Sequence, residues 1–241
     1  IMGYNYLVVS SGESVEQQRL LEDLKSSKRG GLCNYLFIDE YFKELGIDKP
    51  QNAIEENAYR KELLSLIRSA DSIAVDLRNT NSDVAFILGS FCALNRRYNS
   101  LSKDIIILDG KEKDINEFND LVVRFMGALD YTSSSDNYDL YFISSVESAI
   151  EAVKNHSNDK AKFLFCLDED EFEDNFILGF ITALVPEDNT IGYTSKRTRP
   201  KSILRKLAFT NIYNHRPTRE ELDYELPKIV KKNYKNWDKI D

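Results

Sequence analysis

Short apolar runs rich in β-branched and aromatic residues alternate along the chain with longer stretches whose apolar positions recur at helical spacing. Tyr4–Ser10 and Asn34–Ile38 have the composition of strands, separated by a helix from Ser14 to Leu24 and a break at Gly30-Gly31. Val15, Leu20, Leu21 and Leu24 form the apolar stripe of that helix, and Ser14 can cap it. A variable stretch runs through Pro50. A helix over 53–68 follows, with Leu63, Leu64 and Ile67 on one face, then a strand over 72–77. Beyond the next helix come a strand at Asp104–Asp109, a helix over 116–129, a strand at Tyr138–Ile143 and a helix over 146–154 capped by Ser145. After the polar linker Asn155–Lys160 the pattern predicts strands at 162–167 and 190–194, with helices at 174–184, 200–210 and 218–232.

Strands alternating with helices imply parallel pairing. The expected fold is α/β, a doubly wound parallel sheet of Rossmann or flavodoxin type. The sequence also matches itself. Asp83 to Leu94 returns ninety positions later as Glu173 to Leu184, with Phe-Ile-Leu-Gly and Ala-Leu in identical places. An apolar run precedes each copy, at Ser72–Leu77 and Lys162–Leu167. A self-match at one offset, preserved together with the strand before it, indicates duplication. Gly89 and Ala93, like Gly179 and Ala183, suit a helix lying close on a sheet. The expected division is a complete α/β domain over 1–155 and a truncated repeat over 160–241. That repeat has no visible counterpart of the opening strand, helix and strand. It should either share the first sheet or pack on the first domain as a pseudo-dimer.

Composition narrows the function classes. Of 241 residues 42% are hydrophobic, enough for a packed core, and no apolar run approaches the ~18 residues of a membrane helix. The opening residues show no signal-peptide pattern, and Cys33, Cys92 and Cys166 are widely spaced in apolar segments. Free thiols of a cytoplasmic protein fit better than a disulfide framework. With two histidines and no ligand-spaced pair, neither a metal site nor a cofactor is expected. The net charge of −8 argues against nucleic acid as a partner. Charge is uneven, since residues 195–241 hold 13 Lys and Arg against 6 Asp and Glu, a local +7. Six acids occupy 168–174, and a basic run spans 196–206, where Arg197 and Arg199 could hold a phosphate at the start of a helix. Both runs follow strands expected to be neighbours, so they could instead neutralise each other.

The first copy, Asn81-Ser-Asp83 followed by Gly89 and Ala93-Leu94, resembles the nucleoside 2-deoxyribosyltransferase-like family. That family carries a loop of the type Asp-Ser-Gly-Thr, then a helix with a nucleophilic Glu and a small-residue face. Tyr6 stands where the family has a first-strand tyrosine, and Ala70-Asp71 resembles the pair opening its third strand. Ile191-Gly-Tyr-Thr194 resembles its next strand, with Arg197 or Arg199 at a following arginine. The resemblance implies a nucleoside, a nucleotide or another phosphate-bearing small molecule as ligand. The implied ligand-binding residues are Tyr6, Ser10, Asn81, Asp83, Arg197 and Arg199. A homodimer is a further expectation.

The departures bear on the chemistry. The nucleophile position falls on Ile87 in the first copy and Ile177 in the second. An alkyl side chain cannot attack an anomeric carbon. The family's upstream helix acid lands near Leu63, beside Glu62. A non-catalytic binding or interaction protein is therefore the leading expectation. The alternative is an N-glycosidase or transferase that uses displaced carboxylates, with Asp76 and Asp83 as catalytic candidates. Against that alternative, both aspartates could simply cap helices or sit in solvated loops.

Overall fold

A computed structural model describes residues 4–9, 33–46, 53–77, 82–98, 104–129, 140–155, 162–166, 171–185, 190–193 and 211–213, with isolated residues 15, 18, 19, 22, 26, 218 and 220. Eight described strands form two parallel four-stranded sheets. The chain is thus an α/β protein of Rossmann-like character.

The first sheet contains β1 (Tyr4–Val9), β2 (Cys33–Phe37), β3 (Ser72–Asp76) and β4 (Asp104–Asp109), in the spatial order β2-β1-β3-β4. Its helices are α1 (Ile38–Glu44), α2 (Ala53–Ser69), α3 (Ser82–Tyr98) and α4 (Glu112–Leu129). The second sheet contains β5 (Leu140–Ile143), β6 (Lys162–Phe165), β7 (Thr190–Tyr193) and β8 (Asn211–Tyr213), in sequential order. Between its strands lie α5 (Val146–Asn155) and α6 (Phe172–Leu184).

Period-two alternation explains how the first sheet is covered. Leu7, Val9, Ile73 and Val75 face the main core, while Val8, Phe37 and Ala74 form a small cluster apart from it. The main core is continuous from the first sheet to the second. Between the sheets α3 packs on α6, and the contact is backbone on backbone. A Cβ added to Gly89 would strike the Phe176 carbonyl and lie 2.8 Å from the Phe180 nitrogen. A Cβ on Gly179 would strike the Phe86 carbonyl and lie 2.9 Å from the Phe86 Cα. Residue 86 meets 179 and residue 89 meets 176, so the helices run antiparallel and the contact is reciprocal. The sequence predicted these glycines against a strand. They lie instead against each other's helix, because only hydrogen as a side chain lets two helix backbones approach this closely.

α4 is the second bridge between the halves. Phe118, Leu121, Phe125 and Ala128 make its buried stripe. The Phe125 ring lies 5.6 Å from that of Phe176 and 4.9 Å from that of Phe180. At the rim of the contact, Arg124 of α4 donates to Glu147 of α5 at 3.0 Å.

Most predicted elements are present, with four differences. α1 occupies what was expected to be variable chain, and α4 starts a turn earlier than expected. β8 was not foreseen, because Asn211-Ile-Tyr213 is too short to show alternation. The largest difference concerns β5 and α5, which the sequence assigned to the first half. β5 pairs with β6, so the sheets divide between residues 129 and 140, and the second half does possess an opening strand and helix. Of the helix expected at 14–24 only scattered residues are described, and Val15 is 74% exposed rather than part of a buried stripe. The helices expected at 200–210 and 218–232 lie outside the described residues, apart from Thr218 and Glu220.

Candidate functional site

Strand order in the first sheet reverses between β1 and β3. The chain leaves β1 toward β2 on one side, and it leaves β3 toward β4 on the other. In doubly wound sheets ligands bind beyond the carboxyl ends of the strands at such a reversal. Here those strand ends are Val9, Asp76 and Asp109, and α3, the helix after β3, begins at Ser82-Asp83.

Asp76 is the last residue of β3 and only 2% exposed. It is not in a solvated loop, as one sequence reading allowed. The register between β3 and β4 slips between Val75 and Asp76, which then aligns with Asp109. An ionised carboxylate is retained in such a place only where its surroundings compensate for lost hydration. Asp83 lies in the first turn of α3 and is half-buried, where its charge suits the helix dipole.

Tyr6 does not join them. It is buried in β1 and pairs with Ser72, four positions before Asp76. At ~3.3 Å per residue it stands roughly 13 Å from the edge, toward the other end of the sheet. This was legible in chain direction, since residue 6 falls in the first half of a strand that runs to residue 9 and ligands of parallel sheets bind at the carboxyl ends. Ser10, Asn81, Arg197 and Arg199 lie outside the described residues.

The two positions where the resemblance would put a nucleophile are buried. Ile87 is 5% exposed and Ile177 fully buried, both within the main core. Leu63 is buried as well. Its neighbour Glu62 accepts a 2.5 Å hydrogen bond from the Tyr41 hydroxyl of α1, which ties the acid to a neighbouring helix. That bond and the carboxylate charge raise the Tyr41 pKa.

Sequence reasoning missed the polar groups that join the halves. Arg60 is 7% exposed, and its Nη2 donates to the Thr182 carbonyl at 3.3 Å, near the end of α6 where helix carbonyls lack partners. Ser90 Oγ, fully buried, donates to the Gly179 carbonyl at 3.0 Å. A signal for Arg60 was present, since it occupies the same helical stripe as Leu63 and Ile67.

The cysteines are unlike one another. Burial pushes the Cys92 thiol up to about 12, which leaves it protonated and unreactive. Cys166 directly follows β6 and is half-buried. Among the described residues no cluster of three or more His, Cys, Asp or Glu could hold a metal ion, and no helix is long and apolar enough to cross a membrane.

No family model, curated protein or solved structure matches the chain.

Proposed function

We propose that the chain is a non-catalytic nucleoside- or nucleotide-binding protein of the deoxyribosyltransferase-like group, built from two halves of common origin. The observation that carries this reading is the burial of Ile87 and Ile177, the two positions where the group's nucleophile would stand. Asp76 at the carboxyl end of β3 and Asp83 in the first turn of α3 carry acceptor groups of the kind that sugar hydroxyls and base N–H groups need, while alkane stands at the positions of the group's nucleophile.

Common origin is supported by more than sequence. In the first half β1 aligns Tyr6 with Ser72 and Val9 with Val75, and in the second β5 aligns Leu140 with Lys162 and Ile143 with Phe165. From 72 to 162 and from 75 to 165 the shift is ninety, the same as between the two helices.

Two assays test the functional reading. Mixed with a deoxynucleoside and a free base, the protein is expected to yield neither exchanged nucleoside nor released base by chromatography. Calorimetric titration with nucleosides and their 5′-monophosphates is expected to give saturable heat. Turnover that Asp76→Asn or Asp83→Asn abolishes would replace this reading with the glycosidase one. What favours that second reading is the alignment of Asp76 with Asp109 at one sheet edge.

A further inference from the structure

We infer that each chain binds one ligand, at the switch point of the first sheet, and that the corresponding edge of the second sheet is structural. The inference rests on the nucleoside-binding reading above, but it is carried by the topology. In the second sheet β5, β6, β7 and β8 follow one another in space as they do in sequence. Each crossover therefore steps the same way, and right-handed connections then fall on one face. Among the described strands this sheet has no adjacent central pair whose connections diverge, and so no switch point of the kind between β1 and β3.

Residue equivalence agrees at the buried position, where Asp76 has no acidic counterpart, while Asp83 keeps one in Glu173. The shared register places Cys166 where the first half has Asp76, and Glu173 where it has Asp83. A half-buried thiol is a weak hydrogen-bond donor and cannot replace a carboxylate as acceptor for hydroxyl groups. The turn after β5 is also occupied by its own side chains. The backbone N–H groups of Ser144 and Ser145 each donate to Ser148 Oγ at 3.0 Å, and the Ser148 N–H donates to Ser145 Oγ at 3.2 Å. Donors that might have met a ligand there are satisfied by the cap of α5. Duplication thus left a working crevice in one half and a scaffold in the other.

The experiment is calorimetric titration of the full chain with 2′-deoxyadenosine, 2′-deoxycytidine and thymidine. One site per chain is expected. Asp76→Asn should weaken binding at least tenfold, whereas Cys166→Ser and Ser148→Ala should change it less than twofold. Since Asp76→Asn could disturb folding, amide exchange of the unaltered chain provides the second readout. Nucleoside should slow exchange at 76–88 and leave 166–178 unchanged. Two sites per chain, or protection at 166–178 alone, would overturn the inference while leaving nucleoside binding intact. Failure of every nucleoside to bind would remove the nucleoside reading, and this inference with it.

Discussion

Single side chains in this protein matter mainly through what surrounds them. Ile87 is an obvious place to try restoring a carboxylate, yet it lies in the core one turn beyond Asp83. Burying a charge there costs several kcal/mol unless it is paired or protonated. Ile87→Glu is therefore expected to lower the melting temperature sharply and to create no glycosyl transfer; a stable, active variant would show that the position faces the crevice. Cys92 gives a prediction with a definite sign. Its thiol stays protonated in the folded protein up to about 12, against 9.0 ordinarily. Between those values the unfolded chain has lost this proton and the folded chain has kept it, so stability falls as pH rises. The slope approaches ~1.4 kcal/mol per pH unit for one such group. Urea denaturation at pH 8 and 10 should show the loss, and Cys92→Ala should remove this component of it.

Among elements, the crossing of α3 and α6 sets the structure's tolerance. Gly89→Ala and Gly179→Ala each drive a methyl group into opposing backbone, which cannot rotate aside as a side chain would. Each is expected to cost about 3 kcal/mol or more, at the upper end of overpacking penalties. The double variant should cost less than the sum, because helices parted by the first methyl leave room for the second. Gly127 is the internal control. It lies within α4 with nothing inside 4 Å of its added Cβ, so Gly127→Ala should stabilise by about 0.5–1 kcal/mol. Chemical denaturation of the four variants separates a close approach from a general intolerance of alanine. The small residues were evident in the sequence. Their partner was not, because a glycine next to a sheet and one next to a helix leave the same mark on a helical pattern.

The whole molecule should unfold as one unit. Its main core runs from the first sheet through α3, α4 and α6 to the second, and Arg60 and Ser90 add buried hydrogen bonds between the halves. Scanning calorimetry is expected to give a single transition whose calorimetric and van't Hoff enthalpies agree. Two resolved transitions would mean that the halves are independent domains. Much of this architecture was legible in the residues. Local pattern determined the strands at 72–76 and 104–109, the helices that follow, the cap at Ser145 and the ninety-residue repeat, since hydrophobic period and capping act within a few residues of chain. Local pattern also shows that no nucleophile stands at 87 or 177, since isoleucine is chemically inert wherever it lies. Tertiary structure alone decided which sheet β5 joins, that Asp76 is buried and that the glycines face each other. Each of these depends on a partner remote in sequence, and neither strand register nor helix crossing leaves a periodic trace in the chain that enters it.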